Sequence, residues 1–242
     1  MGAFFLGGND MYKLKKISNY FSKTEILLWC NSVALIILAF LIFDRESYLT
    51  LIASLVGVTS LIFNAKGNPL GQFLMVIFSL IYGIISFTFQ YYGEMITYLG
   101  MTMPMAVFSL FSWLRNPYNG NKSEVQVNRI SKNETIFMWI LTFLVTFIFY
   151  FILSGFNTAN IVPSTISVTT SFIAVYLTFR RSSGFAIAYA ANDLVLIILW
   201  TLASIENMTY ISVAICFSAF LINDLYVFFS WRKMEKRQAC NV

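Results

Sequence analysis

Apolar residues occur along this chain in eight long runs that are separated by short polar segments. The runs cover roughly residues 26–43, 48–64, 71–92, 94–114, 135–155, 160–179, 184–204 and 207–231. Each run is long enough, or nearly so with tilt, to cross the roughly 30 Å hydrocarbon layer of a bilayer as a helix. The pattern therefore predicts an all-α integral membrane protein with eight transmembrane helices.

The composition agrees with a protein whose partner is the lipid bilayer. Of the 242 residues, 58% are apolar and 11% are charged, whereas soluble domains carry about 25% charged residues. The chain has no histidine, and its cysteines (Cys30, Cys216 and Cys240) do not have metal-ligand spacing. We expect no metal, no cofactor and no disulfide. Because no nucleophile and base occur together, we also expect no enzymatic activity.

The distribution of charge predicts how the chain crosses the membrane. If the N-terminus is cytoplasmic, fifteen of the sixteen Lys and Arg residues fall in cytoplasmic segments, and only Arg45 falls outside. The loops on the other side of the membrane carry Asp44, Glu46, Glu94 and Glu206. This bias is the positive-inside rule, and it predicts cytoplasmic N- and C-termini. The net charge of +5 is explained by topology, so no nucleic-acid partner is expected.

Two parts of the chain resemble each other. The segment 109–115 (Ser-Leu-Phe-Ser-Trp-Leu-Arg) matches 227–233 (Val-Phe-Phe-Ser-Trp-Arg-Lys) at an offset of about 118. The same offset lays 48–64 on 166–181 and brings Gly67 close to Gly184. Helices two to four then correspond to helices six to eight. A single intervening helix makes the two repeats parallel, with a substrate path expected near the axis between them.

This repeat divides the chain into a 3+1+3 arrangement with one additional N-terminal helix. The predicted segments are a cytoplasmic N-terminal segment (1–25), the additional helix (26–43), the first three-helix repeat (48–115), a cytoplasmic loop (116–134), a linker helix (135–155), the second three-helix repeat (160–231) and a cytoplasmic tail (232–242). The loop is interpreted as a plain connector. Trp113 and Trp231 are interpreted as anchors in the aromatic belt at the membrane surface.

A few polar residues lie at the depth of the lipid, where they are costly unless they face protein or water. Asp193 and Asp224 are the only carboxylates well inside a predicted span. Helical spacing places polar and aromatic residues on one stripe of helix seven and one of helix eight. The stripes contain Phe185, Tyr189, Asn192, Asp193 and Trp200, and Asn223, Tyr226 and Ser230. Such stripes suit a flat, polar-edged, cationic solute, although asparagine and aspartate also bridge neighbouring helices.

Several motifs resemble those of the bacterial PnuC-type nicotinamide riboside transporters. The run 82–94 (Tyr-Gly-Ile-Ile-Ser-Phe-Thr-Phe-Gln-Tyr-Tyr-Gly-Glu) is similar to the third-helix region of that family, and Pro104-Met105 followed by Trp113 is similar too. The segments 189–193 (Tyr-Ala-Ala-Asn-Asp) and 223–226 (Asn-Asp-Leu-Tyr), the latter with Trp231, also resemble it. The resemblance extends from about residue 48 to 233.

The resemblance implies an inner-membrane carrier of a vitamin-sized small molecule, with a fold related to SWEET sugar transporters in the inverted orientation. It implies uptake of nicotinamide riboside by facilitated diffusion, trapping by cytoplasmic phosphorylation, and a homotrimer. Asn192, Asn223, Tyr226 and Gln90 match family positions; Thr88 belongs to the same motif as Gln90. Asp193, Asp224 and Trp200 are candidates from the stripes alone.

The substrate is left open by one departure from the family pattern. Phe185 and Ala188 stand where family members often carry tryptophans before the asparagine that Asn192 matches. Thiamine or riboflavin is therefore an alternative substrate on the same scaffold. A further alternative is a membrane sensor or assembly protein that transports nothing, for which the polar stripes would serve only as contacts between helices.

Overall fold

The computed structural model describes residues 20–89, 91–158 and 160–240. Within these residues, eight helices are long and apolar enough to cross a membrane. They are α1 (Lys23–Phe43), α2 (Tyr48–Ala65), α3 (Pro69–Thr88), α4 (Tyr92–Arg115), α5 (Lys132–Gly155), α6 (Ile161–Phe179), α7 (Phe185–Ser204) and α8 (Ile211–Cys240). The chain is a multi-pass α-helical membrane protein, which confirms the predicted fold class.

The helix ends differ from the predicted ends where polar residues form the first or last turn. Asn68 caps α3 by accepting a hydrogen bond from the backbone of Leu70, and Pro69 stands at the first helical position, where it needs no N–H partner. The eighth helix continues beyond Trp231 to Cys240, so residues 232–240 of the predicted tail are helical. Hydropathy alone cannot detect these charged and polar turns.

The fourth helix changes its winding near the middle of its length. It is α-helical over Tyr92–Ile96 and Met103–Arg115 and π-helical over Thr97–Thr102. Pro104 has no N–H to donate to a helical hydrogen bond, and in a regular α-helix its ring would clash with the carbonyl of the preceding turn. The N–H of Met103 donates to the Tyr98 carbonyl, in the i→i+5 pattern of a π-helix. This wider turn alters which residues of α4 face the bundle.

Six of the helices form a closed ring. In order around the ring, α2, α3, α4, α6, α7 and α8 each pack against the next, and α8 packs against α2. The other two helices lie outside the ring: α1 packs against α8 and α2, and α5 packs against α6. We call the end of the ring that carries Lys66, Arg115, Arg180 and Arg232 the basic face, and the opposite end the far face.

The two Ser-Trp pairs that the repeat predicts to be equivalent make equivalent hydrogen bonds. The first pair lies in the last turn of α4 and the second lies within α8. Each pair donates to carbonyls in the last turn of a helix from the other half, where carbonyls lack a full set of helical partners. The bonds are Ser112 Oγ to Phe179 O (2.9 Å), Trp113 Nε1 to Thr178 O (3.0 Å), Ser230 Oγ to Ala65 O (2.7 Å) and Trp231 Nε1 to Asn64 O (2.7 Å).

These bonds correct two details of the sequence interpretation. Trp113 and Trp231 are 0% exposed and contact each other, so they are not anchors in the surface belt. A tryptophan beside a basic residue at a helix end gives the same sequence signal whether it faces lipid or another helix. The bonds also relate Asn64 to Thr178, so the offset of about 118 fits α4 and α8 but not the ends of α2 and α6.

The helices outside the ring also begin in equivalent ways. Each follows a serine whose side chain accepts a hydrogen bond from the backbone of a nearby glutamate, and that glutamate forms an ion pair with the basic residue after the next helix. The residues are Ser22, Glu25 and Lys66 for α1, and Ser131, Glu134 and Arg180 for α5. The 3+1+3 division stays a prediction, and these contacts add α1 and α5 as a further equivalent pair.

The loop between the two halves is folded and not the plain connector that its composition indicates. It contains an antiparallel pair of strands, β1 (Pro117–Tyr118) and β2 (Asn121–Val125). The backbone N–H of Val125 donates to Gly67 O, and that of Asn128 donates to Arg181 O, both at 2.9 Å. The loop therefore holds together the α2–α3 and α6–α7 turns at the basic face.

Candidate functional site

A small cavity lies at the centre of the ring. All six ring helices line it, with Leu61 from α2, Met75 and Phe78 from α3, Tyr98 and Thr102 from α4, Ser171 from α6, Tyr189, Asn192 and Asp193 from α7, and Phe217, Phe220 and Asp224 from α8. Its volume is about 30 Å³, which is room for one or two water molecules. A larger solute can enter only when side chains or helices move apart.

The two halves of the chain contribute different chemistry to this central cavity. The first half supplies a mainly apolar and aromatic wall that includes Phe78 and Tyr98. The second half also supplies aromatic side chains (Tyr189, Phe217 and Phe220), and it alone supplies an amide, that of Asn192, and carboxyl groups, those of Asp193 and Asp224. An aromatic wall attracts flat and cationic groups, while amide and carboxyl groups bind donors and positive charge. The cavity can therefore distinguish two ends of a ligand.

Asn192 is held in place by hydroxyl groups of the neighbouring helix α6. Its Oδ1 lies 2.8 Å from Thr170 Oγ1, 3.0 Å from Ser171 Oγ and 3.4 Å from Ser167 Oγ. The residue is 3% exposed. Within the described residues its Nδ2 makes no hydrogen bond, so the amide keeps a donor for a ligand oxygen.

Asp193 and Asp224 meet at the cavity from adjacent helices. Both side chains line the same cavity, and the residues are 4% and 2% exposed. Asp193 Oδ2 and Asp224 Oδ1 have no hydrogen-bond partner among the described residues. No Lys or Arg lines the cavity. Unpaired polar groups at this depth are costly, which is the reason that such residues mark functional sites in membrane proteins.

Aromatic residues close the cavity on both sides. The basic-face cluster consists of Trp113, Phe185 and Trp231, whose ring centroids lie 4.8 to 6.3 Å apart. The far-face cluster consists of Tyr82, Tyr91, Trp200 and Tyr210, in which Trp200 Nε1 donates to Tyr82 Oη at 2.7 Å. The ring is therefore closed toward both faces in this conformation.

The structure brings four of the predicted site residues together: Tyr189, Asn192, Asp193 and Asp224. It places others away from the cavity. Phe185 packs in the basic-face cluster and Trp200 packs in the far-face cluster, although both share a helical stripe with Asn192. A stripe of residues along a whole membrane helix extends from one face of the ring to the other. Its two ends therefore lie away from the central cavity.

The predicted residues of α8 other than Asp224 face α1. Asn223 Nδ2 lies 2.8 Å from both Ser32 Oγ and Ala219 O, and Tyr226 Oη donates to Glu25 at 3.2 Å. This placement favours a bridging role between helices for Asn223, and the assignment of Asn223 and Tyr226 as substrate contacts stays a prediction.

The two candidates near the end of α3 are not brought to the cavity. Thr88 is exposed and donates to the carbonyl of Ile85 at 2.8 Å. Gln90 lies outside the described residues. Their assignment as substrate contacts stays a prediction, and the position of Thr88 does not favour it.

Sequence reasoning missed several residues of the cavity. Ser171 lines the cavity, and Ser167 and Thr170 join it in bonding to Asn192. The three recur at i, i+3 and i+4 on α6, and this hydroxyl stripe was the available signal. Tyr98 and Thr102 lie in the π-helical stretch of α4, whose facing direction a regular helical period does not give. The chain is rich in phenylalanine, and no sequence pattern distinguished Phe78 from the others.

A larger cavity of about 470 Å³ opens at the basic face. Of the residues on the predicted stripes only Ser230 lines it, and its hydroxyl donates to the carbonyl of Ala65. Two of its basic side chains, Lys66 and Arg237, form ion pairs with Glu25 and Glu124. Its charges are thus largely compensated within the protein, and the central cavity is the better candidate despite its smaller size.

Comparison with known proteins agrees with this architecture. Residues 47–233 match the model of a family described as nicotinamide mononucleotide transporter. A nicotinamide riboside transporter PnuC from Neisseria mucosa is 25% identical over 224 residues, which cover 87% of this chain and 84% of that protein. A nicotinamide riboside transporter PnuC from Haemophilus influenzae is 24% identical over 199 residues, covering 79% and 82%.

A solved structure has the same fold. The crystal structure of the vitamin B3 transporter PnuC superimposes with a TM-score of 0.79 at 20% identity and covers 90% of this chain and 94% of that one. At this level of identity, the likeness concerns the path of the backbone through the eight helices.

Proposed function

The chain belongs to the nicotinamide mononucleotide transporter family, a family of membrane transporters and not of enzymes, and from this premise we propose that it carries nicotinamide riboside. The proposed substrate is the nucleoside itself and not its phosphorylated form, nicotinamide mononucleotide. The two relatives carry the riboside in their names, whereas the family description carries the mononucleotide. The chemistry of the central cavity distinguishes the two.

The observation that carries the proposal is the pair of carboxyl groups in a cavity that no Lys or Arg lines. A phosphate group would bring negative charge beside Asp193 and Asp224, and at low dielectric this repulsion is strong. Sites that bind phosphate use Arg, Lys or backbone N–H groups. A pyridinium ring instead brings one positive charge, which the carboxyl groups attract.

The two walls of the cavity support the same ligand. A pyridinium ring can lie against the aromatic wall formed by Phe78 and Tyr98, where stacking and cation–π attraction stabilise it. The free Nδ2 of Asn192 can donate to a carboxamide or ribose oxygen. Nicotinamide riboside has a flat cationic end and a hydroxyl-rich end, as this division requires.

We further propose that the protein works by facilitated diffusion. The sequence has no Gly-rich phosphate loop that would bind ATP. The clusters at the basic face and far face close the cavity on both sides, so transport requires that they open in turn. Phosphorylation of the product in the cytoplasm would keep the internal concentration of the nucleoside low and so sustain net uptake.

The proposed location is the bacterial inner membrane, with the basic face and both termini in the cytoplasm. The excess of Lys and Arg at the basic face supports this orientation. The homotrimer that the resemblance implies stays a prediction.

The proposed substrate can be tested by calorimetry on the purified, folded protein in detergent. We expect saturable binding of nicotinamide riboside and binding of its mononucleotide that is at least about tenfold weaker, a difference of about 1.4 kcal/mol. Thiamine, which is cationic, and riboflavin, which is neutral, serve as comparison ligands. Preference for the mononucleotide would contradict the charge argument. Binding of thiamine or riboflavin alone would keep the fold but reject the proposed substrate.

A further inference from the structure

A side-chain hydrogen bond spans the ring between the central cavity and the far face. Trp200 Nε1 of α7 donates to Tyr82 Oη of α3 at 2.7 Å. Trp200 is 0% exposed and Tyr82 is 4% exposed, so water does not compete for this bond. Breaking a hydrogen bond in such surroundings leaves a buried polar group unpaired, which costs more than the loss of an exposed bond.

The two residues belong to opposite helices of the ring. In the order α2, α3, α4, α6, α7 and α8, three steps separate α3 from α7 in either direction. Three steps also separate α4 from α8, whose Trp113 and Trp231 contact each other near the basic face with ring centroids 5.3 Å apart. An aromatic pair therefore bridges the ring on each side of the central cavity.

Both pairs join residues at equivalent positions of the predicted repeats. Tyr82 and Trp200 are 118 positions apart, and Trp113 and Trp231 have the same separation. When two equivalent halves surround an axis, a residue can contact its own equivalent only if both lie at that axis. The axis is also where the sequence predicts the substrate path, so each pair lies across that path.

The two pairs differ in the hydrogen bonds that hold them. An indole can donate but not accept, so Trp113 and Trp231 cannot bond to each other, and each donates to the backbone of a helix from the other half. These bonds can persist when the two rings separate, because α4 can move with α6 and α8 can move with α2. Tyr82 and Trp200, in contrast, can separate only if their mutual hydrogen bond breaks.

Tyr82 also connects this bond to the central cavity. Its ring contacts those of Phe78, Tyr98 and Phe217 at centroid distances of 5.5, 4.3 and 5.6 Å, and all three residues line the cavity. Because the cavity has a volume of only about 30 Å³, a ligand ring that enters it displaces these side chains. Binding in the cavity therefore acts directly on the packing around Tyr82.

We propose that the hydrogen bond between Tyr82 and Trp200 is the latch of a gate at the far face. The bond holds the far face closed in this conformation, and it must break before a solute can pass between that face and the central cavity. The pair at the basic face is not latched in this way. The inference rests on the proposed function, since it requires a transporter whose two faces open in turn, but it does not depend on which solute is carried.

The latch can be tested through the reactivity of a single cysteine in the central cavity. Ser171→Cys is placed in a full-length protein whose three native cysteines are replaced by serine. Whole cells are treated with a small membrane-impermeant methanethiosulfonate reagent and no substrate, so that the cysteine reacts in proportion to the population with an open far face. Tyr82→Phe keeps the ring and removes the acceptor, and it should raise the rate of modification about fivefold, the effect of losing one buried hydrogen bond. Trp200→Phe removes the donor and tests the same bond if Tyr82→Phe does not fold.

Tyr91→Phe is the matched control for the loss of a hydroxyl group from the same cluster. The ring of Tyr91 lies 4.8 Å from that of Trp200, but within the described residues its hydroxyl group makes no hydrogen bond. This variant should therefore react at close to the wild-type rate. A rise in Tyr91→Phe equal to that in Tyr82→Phe would reject the latch, because loosened packing and not the bond would then open the far face.

The remaining outcomes separate the latch from the proposed function. A wild-type rate of modification in folded Tyr82→Phe and Trp200→Phe would reject the latch and leave the proposed substrate standing. Absence of nicotinamide riboside binding in the calorimetric test would instead overturn the proposed substrate. The cysteine reactivity is measured without substrate, so that result would not change the evidence for the latch.

Discussion

Asn192 and Asn223 are both buried asparagines near the middle of a membrane helix, but their hydrogen bonds differ. The amide nitrogen of Asn223 already donates within the protein, to Ser32 and to the backbone of Ala219. In Asn192 the surrounding hydroxyls of α6 bond only to the carbonyl oxygen. An amide with an unused donor beside a cavity can bind a ligand, whereas one with satisfied donors joins helices.

This difference predicts opposite effects of two similar substitutions. Asn192→Ala should weaken the binding of nicotinamide riboside about tenfold, which is the effect of losing one or two hydrogen bonds to a ligand. Asn223→Ala should leave the Kd within about a factor of two but lower the thermal stability, because α1 loses its bond to α8. Calorimetry and a thermal-shift assay on the same preparations measure both quantities. A tenfold loss of affinity in Asn223→Ala would instead restore this residue to the binding site.

At the scale of secondary structure, the helix ends at the basic face are joined across the two halves. Trp113 near the end of α4 donates to the end of α6, and Trp231 within α8 donates to the end of α2. Both rings also contact Phe185 at the start of α7. Any opening of the basic face must therefore separate these rings or move the joined helix ends as one body.

The indole hydrogen bonds of Trp113 and Trp231 are equivalent, so they should contribute similar free energies to the stability of the protein. Trp113→Phe and Trp231→Phe keep the aromatic packing and remove only the indole N–H, so each should cost about 1 kcal/mol of stability. For a domain of this size that energy lowers the melting temperature by about 2–4 °C. Trp139→Phe is the matched control, because Trp139 is 55% exposed on the outer helix α5. A shift in the control as large as in the two variants would show that tryptophan content, and not these bonds, sets the stability.

The elements that could be predicted from the sequence are those for which the signal accumulates over many residues. Eight apolar runs predict eight helices, because burial in lipid requires about twenty apolar residues in each span. The position of Trp113 inside the ring could not be predicted, since lipid and a neighbouring helix both accept an apolar side chain. The π-helical stretch that places Tyr98 and Thr102 in the cavity depends on Pro104 and on packing, which periodicity does not describe. Asp193 and Asp224 were recognisable because a carboxyl group in an apolar run has few explanations.

The whole molecule has a strongly polarised distribution of charge. Lys66, Arg115 and Arg180 lie at helix ends on one face, and Arg232 lies on the same face within α8. The folded loop with β1 and β2 covers this face. The far face has short turns and acidic residues such as Glu206. This polarity is what a membrane potential and the insertion machinery act on, so it sets the orientation of the protein as a whole.

The orientation can be measured by labelling single cysteines in cells. Lys122→Cys, in the exposed strand β2, should react with a membrane-impermeant maleimide only after the cells are permeabilised. Glu206→Cys, at the exposed far face, should react in intact cells. The background protein carries serine in place of Cys30, Cys216 and Cys240. The reverse pattern of labelling would place the basic face outside and contradict the topology.

The reciprocal bonds of the two Ser-Trp pairs have a consequence for the ancestry of the fold. Each half supplies donors that the other half needs, so two identical chains of half the length could make all of these bonds as a dimer. Such a dimer would have to place the same residues on both walls of its cavity. Fusion into one chain removes that constraint, and mutations can then accumulate on one side only. The carboxyl groups and the amide, which only the second half brings to the cavity, are the asymmetry that duplication followed by divergence makes possible.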